Sequence, residues 1–140
     1  MNNNGLEKRI FDQYGGVQSI SSVPEPAKTV VAIYAAQGVI DYGGLGYFFE
    51  SDFPSDDAYS VICQSYRNIG MPERAEALEK ILSLFPDSKP HKNHARRQKF
   101  IEKYFDYGSL HPTVRWAEEV LDGSNGDACN EALEYYKKHT

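Results

Sequence analysis

Apolar residues recur along this chain with a helical period and almost nowhere with the strict alternation of a strand. Leu6, Ile10, Tyr14 and Val17 make one stripe of a first helix that ends near Gly15-Gly16. The Ser/Pro-rich stretch 19–26 reads as a loop, in which Ser22-x-x-Glu25 followed by Pro26 has the pattern of a helix start. Thr29 to Ile40 is apolar on every side and predicts a buried central helix, although Val30, Val31 and Ile33 also suit a strand. Tyr59, Ile62, Cys63 and Tyr66 fall at i, i+3, i+4 and i+7, with Ser55 as candidate cap and Asp56 and Asp57 in the first turn. Ile69-Gly70-Met71-Pro72 reads as a tight corner into a helix carrying Leu78, Ile81, Leu82 and Phe85. After a break at 86–90, Phe100, Ile101, Tyr104 and Phe105 mark a further helix ended by Gly108. Pro112 starts another with Val114, Ala117, Val120 and Leu121, and Cys129, Ala132, Leu133 and Tyr136 mark the last. No internal repeat occurs. The expectation is an all-α fold, one compact domain over residues 1–140 with about six or seven helices. Within it, 1–25 is an N-terminal helix and loop and 26–140 the helical core.

Composition leaves that picture intact and narrows the function. The 140 residues suit one domain, and 41% hydrophobic with 25% charged residues is ordinary globular usage. Aromatic residues reach 13%, with Tyr the commonest, which favours a core edged by polar-tipped rings. A net charge of −5 opposes a direct nucleic-acid binder, which needs many phosphate contacts. The charge is striped. Residues 29–66 hold no Lys or Arg but contain Asp41, Glu50, Asp52, Asp56 and Asp57. Residues 88–103 set six cations against Glu102, a balance of +5, and 104–136 set seven acids against Arg115. Such stripes are ordinarily solvated helix faces. The N-terminus lacks the pattern of a signal peptide and no apolar run is long enough to span a membrane, so a cytoplasmic protein is expected.

The familiar catalytic patterns are missing. Gly43-Gly44-Leu45-Gly46 lacks the spacing of a dinucleotide loop, because Phe49 stands where the last glycine belongs, and no phosphate-binding lysine follows. Its glycines read instead as a bend or a close approach between helical segments. His91 and His94 lie among cations that oppose a divalent metal, so they read as a solvated basic helix start. Cys63 and Cys129 sit on apolar helix faces as structural thiols. Glu118 and Asp122 share a helix face and are expected in water. Neither a cofactor nor a metal is expected, and the reading leans away from an enzyme.

One segment is unusual. From Gly38 to Pro54, acids, glycines and five aromatic residues are interleaved without one basic residue. As architecture it is a corner between helices, rings inward and acids outward. As a recognition face it offers aromatic anchors and carboxylate acceptors to a basic partner. The candidate partner-binding residues are Asp41, Tyr42, Tyr47, Glu50, Asp52, Asp56 and Asp57.

Within this segment Gly43, Gly44, Phe48 and Phe49, with Leu45 in place of a Phe, form a glycine-pair and aromatic-pair signature. Ile69, Gly70, Met71, Ala75, Ala77, Phe85 and Pro86 supply a second landmark: Ile-Gly, then an Ala-containing helix ending in Phe-Pro. Over about residues 30–86 these resemble the nineteen-kilodalton DNA-mimic protein family of bacteria. Gly43, Gly44, Phe48, Phe49, Ile69 and Gly70 are the structural motif residues the resemblance marks. Tyr42 stands where that signature has Asn, Tyr47 where it has Gln, and Ser51-Asp52 where it has Asn-Ser. The resemblance implies a compact all-helical fold and, since a member is understood to imitate DNA's charge pattern, a role in occupying DNA-binding proteins. The leading expectation is therefore a non-catalytic binding protein whose acidic-aromatic face engages a basic or DNA-binding protein, with no membrane partner. The alternatives are a small-ligand-binding protein or enzyme with a pocket built from Asp41, Tyr42, Tyr47 and His91 or His94, and a function carried by the basic 88–103 stretch.

Overall fold

In a computed structural model, which describes residues 3–14, 20–50, 58–85, 94–105 and 111–140, seven α-helices surround one apolar core. They are α1 (Asn3–Tyr14), α2 (Ala27–Glu50), α3 (Ala58–Asn68), α4 (Pro72–Leu84), α5 (His94–Phe105), α6 (Pro112–Leu121) and α7 (Ala128–Lys138). Two 3-10 turns, Ile20–Ser22 and Gly123–Asn125, join them, and the described residues contain no strand. The segment that also suited a strand is helical. It is longer than a typical strand, and its Ala32, Ala35 and Ala36 are strong helix formers.

The central helix is α2. It packs against α1, α3, α5, α6 and α7, while α4 lies across α3 and α6. That position explains why Val30, Ala32, Ile33 and Ala36 are all fully buried although they point in different directions around the helix. The helix starts one residue beyond Pro26, and its cap differs from the one the Ser22 pattern predicts. The Glu25 carboxylate accepts from the Thr29 backbone N–H at 2.9 Å and from its hydroxyl at 2.8 Å. Asn68, at the end of α3, donates to the same carboxylate at 3.1 Å, so Glu25 caps one helix and ties down another.

The α3–α4 corner is built as the sequence predicts. Gly70 has φ +80°, its N–H donates to the Arg67 carbonyl at 3.1 Å, and the Met71 N–H donates to Tyr66 at 2.9 Å. This paired 5→2 and 6→1 arrangement closes a helix on a left-handed residue, which glycine adopts without a Cβ penalty. Pro72 then opens α4 at its first position, where a missing N–H costs nothing. Pro112 does the same for α6, with His111 Nδ1 accepting from the Thr113 N–H at 3.1 Å. Asp127 caps α7 by accepting from the Asn130 N–H at 3.0 Å, a contribution of about 1 kcal/mol.

A run of rings crosses the core. Phe48 and Phe49 meet edge-on at 5.0 Å, Phe49 lies 5.0 Å from Phe85, Phe85 stacks on Phe100 at 3.8 Å, and Phe100 reaches Tyr104 at 4.5 Å. These contacts fix the end of α2 against α4 and α5, and so set the spacing of the surface above them. None of the helices in the described residues is long and apolar enough to cross a membrane.

Candidate functional site

Over its described residues, 38–50, the unusual segment is the broken end of α2, with the bend between helical stretches that its glycines predict. Residues 27–43 and 45–50 are two helical stretches joined across a kink at Gly44, which has φ +83° and ψ −178°. That conformation belongs almost exclusively to glycine, because any Cβ there collides with its own backbone. Leu45 is the first helical residue after the break. The Glu118 carboxylate of α6 reaches this point, accepting from the Leu45 N–H at 3.4 Å. Glu118 is half-buried, contrary to the solvated position its helix spacing predicted. Burial pushes its carboxyl above the ordinary value, the Leu45 hydrogen bond opposes that, and Asp122 adds to it.

After the break, periodicity divides the residues sharply. Leu45, Phe48 and Phe49 point into the core and are fully buried. Gly43, Gly46, Tyr47 and Glu50 face a groove of about 450 Å³, whose other wall is Gln98, Ile101 and Glu102 of α5. Tyr47 lies over Gly43 so closely that a Cβ built on Gly43 would come within 2.7 Å of its ring. Tyr42 is 83% exposed and Tyr47 43%, and their rings sit 5.6 Å apart.

Asp41 differs from these neighbours. Its side chain accepts from Gln37 Nε2 at 2.8 Å and lies against Gly123, where a Cβ would approach its carboxylate to 2.6 Å. It forms the outer end of a buried polar network. Gln37 is 2% exposed, Arg74 4%, and Tyr66 fully buried. Gln37 Oε1 accepts from both the Tyr66 hydroxyl and Arg74 Nη1 at 2.7 Å, and Gln37 Nε2 donates to the Leu121 carbonyl at 2.9 Å. Arg74 Nη2 donates to the Gly126 carbonyl at 2.9 Å. Burial raises the Tyr66 phenol well above its usual range, so it stays protonated and donates.

The structure thus brings Tyr42, Tyr47 and Glu50 to one surface and holds Asp41 partly in a structural role. Asp52, Asp56 and Asp57 lie outside the described residues, as does His91. Of the alternative Asp41, Tyr42, Tyr47 and His pocket, Tyr47 lines the groove while Asp41 is turned toward Gln37 and Gly123. Cys63 is buried and its thiol is pushed up to about 12 by desolvation, while half-buried Cys129 is pushed up to about 11 by the same cause. Neither is a ready nucleophile. Among the described residues, no three His, Cys, Asp or Glu side chains converge as a metal site would require.

Several of these residues were not singled out from sequence. Gln37 occurs at the core spacing Val30, Ile33, Gln37, Ile40, and Arg74 at the spacing Arg74, Leu78, Ile81. A polar residue on an otherwise apolar stripe was the available signal. Glu102 was hidden as the single acid of a basic stretch.

The chain matches the family model described as DMP19-like protein over residues 21–139. The chain belongs to the DMP19-like family. The match runs well beyond the 30–86 region that carries the glycine and aromatic signature, into α5, α6 and α7. It therefore takes in both walls of the groove and the Glu118 contact at the break. No curated protein and no solved structure matches the chain.

Proposed function

We propose that this DMP19-like chain is a non-catalytic cytoplasmic binding domain that occupies a basic, DNA-binding protein through the face carrying Tyr42, Tyr47 and Glu50, with Glu102 across the groove. The observation that carries the reading is the broken end of α2. Beyond the kink at Gly44, Leu45, Phe48 and Phe49 anchor the helix while Tyr47 and Glu50 stand in solvent, and Tyr42 stands in solvent just ahead of the kink. Exposed aromatic rings beside carboxylates give a partner both apolar anchoring area and acceptors for its cations. The described residues lining the groove include two acids and no cation. Family membership supports mimicry of DNA's charge, because the DNA-mimic signature and this face are the same segment.

Charge complementarity of this kind speeds association and weakens with salt. The test uses the tagged full chain, a Tyr42→Ala/Glu50→Lys variant, and proteins eluted from DNA-cellulose as prey. A prey protein held by the wild type, lost by the variant and displaced by double-stranded DNA is the expected result. Capture that the variant retains, or that excess DNA leaves untouched, rules the reading out.

A further inference from the structure

The groove has walls of unlike chemistry. Glu50 stands at the end of α2 and Glu102 opposite it on α5. Gln98, Ile101 and Glu102 fall at i, i+3 and i+4, so one face of α5 presents an amide, an apolar surface and a carboxylate together. Tyr47 supplies an aromatic plane, held where it is because Gly43 has no Cβ to displace it. Gly43 and Gly46 leave that side of the groove without side chains. Lys103 follows Glu102 in sequence, but its ammonium lies 5.0 Å over the Tyr104 ring and is not among the groove's lining.

We propose that this groove receives an arginine side chain of the partner, its guanidinium set between Glu50 and Glu102. The proposal rests on the reading that this face binds a basic protein, and it names the chemistry by which the partner is held. Size and donor geometry both favour arginine. At about 450 Å³ the groove is in the range of small-molecule sites, about 300–1,000 Å³, and larger than a bare cation requires. A planar guanidinium offers donors along two edges and serves carboxylates on two walls at once, whereas an ammonium is a compact and strongly hydrated point charge. The guanidinium also stacks on an aromatic plane such as Tyr47, and its aliphatic stem has Ile101 to lie against.

The proposal is tested by amide chemical-shift titration of the labelled full chain at near-physiological salt. The probes are a capped Gly-Arg-Gly peptide and its Gly-Lys-Gly counterpart, applied to the wild type and to a Glu50→Gln/Glu102→Gln variant. Both glutamates are exposed, so the variant's spectrum should otherwise match the wild type. The arginine peptide is expected to shift Gly46, Tyr47, Gln98, Ile101 and Glu102, to bind about tenfold more tightly than the lysine peptide, and to lose these shifts in the variant. Equal affinity for the two peptides, or unchanged shifts in the variant, overturns the proposal. A DNA-cellulose protein captured equally by wild type and Gln variant also overturns it, while leaving the acidic face as the binding surface. Arginine-selective shifts in a chain that captures no such protein uphold the groove and overturn the partner reading instead.

Discussion

The two parts of α2, joined across the kink at Gly44, meet opposite surroundings. From Ala27 to Ile40 the helix is packed by neighbours on most of its circumference, and even its polar Gln37 is enclosed and fully bonded. From Asp41 to Glu50 one side remains core while the other is solvent and groove. The exposed run Asp41, Tyr42 and Gly43 leads into the single non-helical residue of α2, Gly44. An unbroken helix would continue its all-round burial or its exposure in register. The break lets the second part re-aim, so that Phe48 and Phe49 lock it down and Tyr47 and Glu50 are presented. All-round burial and a half-exposed face thus fall to successive segments of the same element.

Substitutions inside the core have the largest expected effect on stability. Phe49→Ala removes a fully buried ring from contact with Phe48 and Phe85, and an unfolding titration in urea should show a loss of about 3–5 kcal/mol. Arg74→Ala leaves Gln37 Oε1 with one donor fewer and the Gly126 carbonyl without this partner, for an expected loss of about 2–3 kcal/mol by the same titration. Arg74 does not line the groove, so the fraction of Arg74→Ala that remains folded should bind partner with wild-type affinity, whereas Phe49 also fixes the spacing of the groove's walls. A weakened affinity in the folded fraction of Arg74→Ala would mean that the network also sets the site, breaking the division between the two parts of α2.

The break itself comes next. Gly44→Ala meets only the Glu118 carboxylate oxygens at 3.7 Å, an ordinary contact, so its cost is conformational. A non-glycine residue at φ +83° and ψ −178° should lose about 1–3 kcal/mol. Circular dichroism with partner capture on the same sample separates the outcomes. If the helix straightens, capture falls more than the stability loss explains, because Tyr47 and Glu50 are re-aimed together.

Much of this fold is written locally, and much of the site is not. The corner at Gly70, the proline starts of α4 and α6 and the apolar stripes depend on residues within a few positions of one another. The glycine pair at 43 and 44 announced a bend, but which glycine adopts the special backbone depends on what packs against each. Gly44 turns toward Glu118, and Gly43 accommodates Tyr47. Gln37, Tyr66 and Arg74 come from three helices, and their network closes on carbonyls at 121 and 126. No local pattern carries such a set. Glu102 escaped for a related reason. Charge counted along 88–103 averages over all sides of a helix, whereas the groove sees only the face shared with Gln98 and Ile101.

Glu118 tests the same boundary through pH. Its carboxyl is raised above 4.5, chiefly by burial. Between that ordinary value and the folded one, the native state binds more protons than the unfolded chain, so this group makes stability fall as pH rises through the window. Glu118→Gln keeps an acceptor for the Leu45 N–H and removes the titration. The variant should melt above the wild type at neutral pH, and the gap should close as pH falls below 4.5. A gap independent of pH would show that the raised carboxyl is not what costs the break its stability.

Tyr42 should give the smallest effect on stability and the clearest sign of function. It is the most exposed large aromatic residue in the described chain, at 83%, and its ring contact is with Tyr47. Removing so exposed a ring forfeits little burial, so Tyr42→Ala should leave stability within about 0.5 kcal/mol of the wild type. An exposed tyrosine beside a second ring is also the kind of side chain that anchors an interface, where truncation typically costs more than about 1 kcal/mol of binding. Thermal melting and titration against the captured partner distinguish the two effects on one sample. Unchanged melting with affinity reduced several-fold places Tyr42 in the contact. Unchanged melting with unchanged affinity confines recognition to the groove side of Tyr47, and the acidic-aromatic face is then narrower than the segment that builds it.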